Sequence, residues 1–380
     1  MKRIILFLAL SLLSISFIRA NDGVYYVSGN QLVPLKETDI SVKKEILTIS
    51  LQDDGMAKVD VYYEFYNNGV DKDVLMGFEA APPYNTNSAF SPKGIHPYIH
   101  DFTVEMNGKF LRHETSVCLL PGIDAQVNEK LMSINMGKWK YNKEHSEEGM
   151  LYNEELDSIC AFAYVYHFKA SFQKGLNIVR HTYRCKLSFD VYTLFSFNYK
   201  LSPATRWANH QIDDFTLRIK AEHTAKNFFV DVAPFNLDGF QIVEGEGKTR
   251  RANWYNTPVV EFTLRDATVE WHATNFSPKE ELNISSADVL YLGQNKYYLG
   301  CFYDRSDDFN PCRFLNGSSV DLRLLRNLPF AHRGYVFKDK KLQQFFKKQW
   351  WYMPNPQWKS STVDFKKSEL QYIQGKVQNK

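Results

Sequence analysis

A mainly β protein, with a β-sandwich followed by a small, mainly helical C-terminal module, is what this 380-residue sequence predicts. Three observations carry the prediction. Between Gly23 and Phe276 the apolar residues recur with period two rather than 3.6. Turn sequences such as Asp53-Asp54-Gly55, Asn67-Asn68-Gly69 and Asn107-Gly108 interrupt that alternation at short intervals. After Ser319 the period becomes helical and the aromatic density rises.

The chain opens with Lys2 and Arg3, an apolar run from Ile4 to Ile18, and Arg19-Ala20 before the polar Asn21-Asp22. A basic start, an apolar middle and a small residue at the cut describe a secretory signal peptide over residues 1–20. The apolar run is shorter than the ~20 residues a membrane span needs. The mature chain is therefore expected to be exported, periplasmic or extracellular, with no transmembrane span after signal removal.

Leu47, Ile49 and Leu51 alternate with polar neighbours, and after the turn Val59, Val61, Tyr63 and Phe65 alternate again, which predicts a hairpin. Val74, Met76 and Phe78 mark a further strand, and Phe102, Val104 and Met106 run into Asn107-Gly108, a strong hairpin dipeptide. The same pattern places strands around Phe162 to Phe168, Val179 to Phe189, Phe215 to Ile219 and Val260 to Leu264. One apolar face per strand requires two packed sheets or one sheet curled on itself. Residues 21–280 are long enough for one large or two smaller β units, with 281–318 as a connecting segment and 319–380 as the terminal module. Gly122 to Ser158 is polar and weakly patterned, and is expected to be a long excursion between strands.

Five cysteines in an exported chain cannot all pair with one another. Cys301 and Cys312 bracket the turn-rich Asp304 to Pro311 and are the favoured disulfide; Cys160 and Cys185 either bridge or stay as buried thiols, leaving Cys118 odd. No CxxC spacing points to zinc. His96 and His100 stand four apart, but Pro97 and the strand beginning near Phe102 argue against the helix that would put both on one face, so no metal ligand is assigned.

Loss of Lys2, Arg3 and Arg19 with the signal brings 46 basic residues to 43, equal to the 43 acidic ones. The balance is uneven. Ser319 to Lys380 holds 13 Lys and Arg against 4 Asp and Glu, a net of +9, which leaves −9 on Asn21 to Ser318. Such a field favours attraction between the two parts or toward an anionic envelope polymer. Export and overall neutrality exclude nucleic acid as a partner.

Within the module, Ser318 and Ser319 are candidate helix caps with Asp321 in the first turn, and Val320, Leu324, Leu325 and Leu328 share a helical face. Gly334 stands where a left-handed residue ends the helix, a structural glycine. Asp339 starts a second helix whose apolar stripe is Leu342, Phe345 and Phe346. Trp350, Trp351 and Tyr352 follow, and Pro354 and Pro356 close it. Taken together, Arg326-Asn327, Phe330-Ala331-His332-Arg333-Gly334, Tyr335-x-Phe337, Asp339, Leu342-x-x-Phe345-Phe346 and the aromatic run ending at Pro354 resemble the YARHG domain, a bacterial extracytoplasmic module. The resemblance covers about 60 residues, 319–378. It departs from the family in the order His332-Arg333, a swap that moves each side chain about 100° around a helix, and in Pro329, which predicts a kink or break. Tyr62 to Pro83 is similar to the opening of a bacterial domain of unknown function found in exported proteins.

The resemblance makes His332 and Arg333 candidate interaction residues, against a role in capping the helix end. Trp350, Trp351 and Tyr352 are candidates for stacking on a ligand, against a role as the core of a small module. No nucleophile elbow, phosphate loop, dinucleotide glycine pattern or HExxH is present, so no catalytic residue or cofactor is assigned. Two functions follow. One is a non-catalytic extracytoplasmic protein whose module binds an envelope protein or cell-wall polymer. The other is an envelope hydrolase acting on glycan or peptide from the sandwich loops. The missing motifs favour the first.

Overall fold

The computed structural model describes residues 20–28, 31–35, 39–80, 99–120, 133–134, 150–153, 158–187, 195–222, 226–236, 238–254, 257–286, 314–315, 318–319, 321–359 and 365–375. Met1 to Arg19, both cysteines of the expected Cys301–Cys312 disulfide, His96, and most of the polar stretch from Gly122 lie outside them. No helix among the described residues is long and apolar enough to cross a membrane.

The fold is mainly β, with a helical C-terminal region. A seven-stranded sheet runs in the order β2 (Gln31–Leu35), β1 (Ala20–Ser28), β5 (Lys72–Ala80), β11 (Ser158–Phe172), β8 (Glu114–Leu120), β9 (Ser133–Ile134), with β10 (Met150–Asn153) on β11. An eleven-stranded sheet runs β13 (Ser196–Tyr199), β18 (Leu282–Ser286), β15 (Lys226–Asp231), β17 (Thr257–Phe276), β14 (Ile212–Ala221), β3 (Ile40–Leu51), β4 (Met56–Asn67), β12 (Gly175–Lys186), β6 (Ile99–Met106), β7 (Lys109–Phe110). β16 (Gln241–Trp254) pairs with β17, and β19 (Phe314–Leu315) with β20 (Ser318–Ser319) form a separate hairpin.

Both ways of burying one apolar face per strand occur. Phe78 of β5 and Tyr166 of β11 pack on Phe102 and Tyr183 of the larger sheet, with ring centroids 4.8–5.4 Å apart in three of these contacts, so the smaller sheet lies face to face on one end of the larger. The larger sheet also curls over itself. Tyr63 on β4 and Tyr199 on β13 bring their hydroxyls to 3.4 Å although six strand steps, about 29 Å if flat, separate their strands. β17 supplies a bend where Asp266 (φ 45°) opposes Gly245 (φ 77°). A Cβ on Gly245 would lie 1.9 Å from the Asp266 carbonyl oxygen, so the bend requires glycine.

β11 and β12 follow one another in the chain yet belong to different sheets. His181 is fully buried among Phe78, Phe102 and Tyr183 in the larger sheet, whereas His167 is half-buried on β11 of the smaller one. The same split separates Cys160 from Cys185. Cys185 is a free, buried thiol, pushed up to about 12 by desolvation against a hydrogen bond with the Ala57 backbone.

Beyond the sheets come α1 (Leu322–His332), α2 (Lys340–Lys347) and α3 (Lys367–Ile373). Asp321, rather than a serine, caps α1, accepting from the Arg323 amide at 2.8 Å. Asp339 caps α2 through the Lys341 and Leu342 amides. Pro329 does not break α1, which runs through it. Burial of Leu325, Leu328 and Ala331 in the module core offsets the about 3 kcal/mol that an internal proline costs. α3 has no counterpart in the sequence reading, and α2 ends before Trp350, so Pro354 and Pro356 do not terminate it.

Candidate functional site

The residues singled out in the module converge on the corner after α1. Gly334 has φ 82°. Its amide donates to the Ala331 carbonyl at 2.9 Å and the Tyr335 amide to the Phe330 carbonyl at 2.9 Å, which is a Schellman closure. The rings of Phe330 and Tyr335 lie 6.0 Å apart, the apolar contact that accompanies such a closure.

Arg333 is not exposed at this corner. Its side chain is 17% accessible and forms a two-pronged pair with Glu369 of α3, at 2.7 and 2.8 Å. Nη1 also donates to the Pro329 carbonyl at 3.0 Å, and the guanidinium lies 4.5 Å over the Phe365 ring. Glu369, 1% accessible at its side chain, further accepts from the Lys366 amide at 2.7 Å and so fixes the start of α3. Arg333 and Glu369 thus lock α3 onto the end of α1. Sequence reasoning missed Glu369, for which the one signal was its position three residues past a helix start. His332 sits half-buried in the last turn of α1.

The aromatic run divides. Trp351 and Tyr352 are buried in the module core beside Phe346, and the Tyr352 hydroxyl donates to the Tyr335 carbonyl at 2.7 Å. Trp350 faces the sandwich instead. Arg250 of β16 lies 4.6 Å over its ring and Lys248 lies 5.9 Å away.

That contact opens a polar seat for the module on β16 and β17. Lys248 Nζ donates to the Trp350 carbonyl at 3.2 Å and to the Tyr352 carbonyl at 2.7 Å, and desolvation lowers its pKa. Arg265 donates to the Met353 carbonyl at 3.1 Å and pairs with Glu246. Arg250 pairs with the fully buried Glu261 at 2.6 Å. The module bends over this seat at Gly334, where a Cβ would lie 2.5 Å from the Met353 oxygen and 2.8 Å from Arg265 Nη1. At these contacts the acidic sandwich contributes cations and the basic module contributes carbonyl oxygens, the opposite of what net charge suggests.

With the carbonyl seat and the α1 corner in place, the module has a family. Residues 302–378 match the YARHG domain. The match begins before Ser319 and takes in the β19–β20 hairpin. Across the whole chain the fold is similar to the crystal structure of a Legionella pneumophila protein provisionally described as nutrient binding, with 17% identity, 93% of this chain and 99% of that one covered, and a TM-score of 0.52. An M1 zinc metallopeptidase of Deinococcus radiodurans, 9% identical, overlaps 66% of this chain and 43% of its own at a TM-score of 0.26, too low to carry an argument. No curated protein matches the sequence.

The outward side of the YARHG module is basic. Lys340, Lys341, Lys347 and Lys348 are exposed and fall within an arc of about 120° on α2, opposite the buried Leu342 and Phe346. Lys338, Lys359 and Lys367 add to the exposed charge. None of these seven pairs with a carboxylate among the described residues. Asp339 is held by Arg323 at 2.7 Å and Glu369 by Arg333, so neither of these two acids neutralises the lysines.

Proposed function

We propose that the protein is a non-catalytic extracytoplasmic binding protein, in which the sandwich holds the YARHG module at a fixed angle and the module engages an anionic polymer of the cell envelope. The observation that carries this is the unneutralised lysine face of α2, displayed on a helix whose other side is buried. A repeating anion offers many weak contacts to such a face, and their sum gives affinity without a pocket. The YARHG match and the apolar run at the N-terminus support an extracytoplasmic location. The provisional nutrient-binding description of the Legionella protein supports binding over catalysis.

Cosedimentation with isolated cell-wall sacculi tests the proposal, before and after chemical removal of their anionic polymers. Retention on intact sacculi should fall steeply with added salt as the charges are screened. The Lys340→Gln/Lys341→Gln/Lys347→Gln/Lys348→Gln variant should lose about tenfold or more in affinity while keeping its circular dichroism. Equal retention on stripped sacculi, or retention unchanged in the variant, would remove the polymer from the proposal.

A further inference from the structure

β16, the strand on which the YARHG module rests, pairs on one side alone. It runs in unbroken register with β17 from Gly247, opposite Leu264, to Trp254, opposite Thr257. On its other side nothing among the described residues bonds to the backbone of Gly247 to Asn253. An edge of this kind offers a row of N–H and C=O groups to a further strand.

Proteins ordinarily guard a long edge with a proline, a bulge or charged side chains that hang over it. Gly247 to Trp254 contains no proline, and the register shifts of β16 lie earlier, between Ile242 and Glu246. Its three cations are each drawn to a partner in the same chain: Lys248 to the Trp350 and Tyr352 carbonyls, Arg250 to the buried Glu261, and Arg251 to Asp238. They hold the module and the neighbouring loop, and leave the edge open.

The surroundings say what kind of strand fits. Lys248 and Arg250 lie on the side that carries Trp350 of the module, and Thr249 and Arg251 alternate onto the other. The carbonyls that hold Lys248 bear no net charge, so its own charge is not cancelled there. Arg251 is 62% exposed. Beside both stands a module whose 13 Lys and Arg exceed its 4 Asp and Glu. A strand added here lies in a positive field that favours carboxylates and repels Lys and Arg. At one end Glu244 and Glu246, in the bulged part of β16, turn an acidic strand away. The regular edge that remains is about 24 Å long, enough for a segment of about seven residues.

We propose that the Gly247–Trp254 edge is a docking site for an extended acidic segment of a partner protein, which adds to the larger sheet as a further strand beside the YARHG module. This site is separate from the lysine face of α2. Backbone pairing distinguishes the two, because attraction to lysines needs no amide hydrogens.

Fluorescence anisotropy of the full mature chain with the labelled peptide Thr-Glu-Val-Glu-Val-Glu-Thr tests it, with Thr-Lys-Val-Lys-Val-Lys-Thr as control. The acidic peptide should bind saturably and the basic one should not. Successive amides of a strand point to opposite edges. N-methylation of the three Glu amides and N-methylation of the Val amides should therefore differ, one abolishing binding and the other leaving it. Arg251→Glu should weaken binding about fivefold or more with circular dichroism and melting retained; if it does not fold, Arg251→Gln serves, with a smaller loss. The Lys340→Gln/Lys341→Gln/Lys347→Gln/Lys348→Gln variant should bind as the parent does. Hydrogen exchange should slow at Gly247–Trp254 on binding. No binding of the acidic peptide, binding that both methylated forms retain, or slowed exchange confined to α2 would overturn the inference.

Discussion

β17 is buried on both sides, by different chemistry on each. Its inward residue Phe262 meets Phe228 and Phe240 at 5.1 and 5.3 Å, part of a continuous apolar core. On the other side Glu261, Thr263 and Arg265 are covered by β15, β16 and the YARHG module through ion pairs, a hydroxyl–amide hydrogen bond and a captured carbonyl. The apolar side is non-directional: many substitutions of similar volume satisfy it. The polar side is directional, and each group there is worth most when its partner is present and costs most when the partner is removed. Apolar burial therefore supplies the stability of the sandwich, and polar burial fixes the angle at which the module sits on it.

The sharpest way to break this contrast is to remove one partner of the most enclosed pair. Arg333→Ala leaves Glu369 buried without its counter-charge and should destabilise the module by about 3–5 kcal/mol, read as a shifted midpoint in urea with tryptophan fluorescence. Arg333→Lys keeps the charge but not the two-pronged geometry, and should cost about 1–3 kcal/mol. An exposed Arg333 would have made that change nearly silent; the pair with Glu369 is the reason it is not. The Arg333→Met/Glu369→Leu double variant should recover much of the loss, because the desolvation penalty goes with the charges. An Arg333→Ala midpoint indistinguishable from the parent would mean that the pair does not hold α3.

Gly334 and Gly108 separate backbone conformation from crowding. Both have positive φ, 82° and 79°, but a Cβ at Gly108 meets nothing within 4 Å, whereas at Gly334 it meets the Met353 oxygen and Arg265. Gly108→Ala should cost about 1 kcal/mol for the left-handed backbone. Gly334→Ala should cost about 2–4 kcal/mol, the excess coming from displaced backbone at the seat. Equal losses would show that the module does not press on Arg265 as closely as the geometry requires.

Tyr352→Phe removes a single hydrogen bond, from the hydroxyl to the Tyr335 carbonyl, and leaves the ring in the module core. A loss of about 0.5–1.5 kcal/mol in the same urea experiment is expected. A loss as large as that of Arg333→Ala would mean that the ring, not the hydroxyl, had moved.

The apolar side of the molecule was legible in the sequence and the polar side was not. Leu47 to Leu51, Val59 to Phe65 and Phe102 to Met106 announce their strands because every second side chain is apolar, and Asn107-Gly108 announces its hairpin because only φ near 49° and 79° closes it. β16 carries the module yet has no apolar alternation, since Lys248, Arg250 and their neighbours find polar partners instead. The period-two pattern also cannot say which sheet a strand joins, so it does not show that the successive strands β11 and β12 part into different sheets. Arg333 and Glu369 stand 36 residues apart at the ends of two helices, and no local spacing links them.

The smallest effect lies at the solvent end of the same scale. Asp214 accepts from Lys44 Nζ at 2.9 Å and from His272 at 2.8 Å on the outer face of the larger sheet, with its side chain 36% exposed. The hydrogen bond from Lys44 holds its pKa below the usual carboxylate range, opposed by desolvation and aided by His272. A carboxylate whose folded pKa is depressed binds fewer protons folded than unfolded, so it contributes stability above its unfolded pKa of about 4. That contribution fades as pH falls through the folded value and is absent below it. Because the pair is exposed and screened, Asp214→Asn should cost no more than about 1 kcal/mol at neutral pH. The difference between variant and parent should shrink as pH falls through the depressed folded value, and shrink with salt. A difference that persists in acid or at high salt would show that Asp214 acts through packing, and that exposure does not set the worth of a polar contact in this protein.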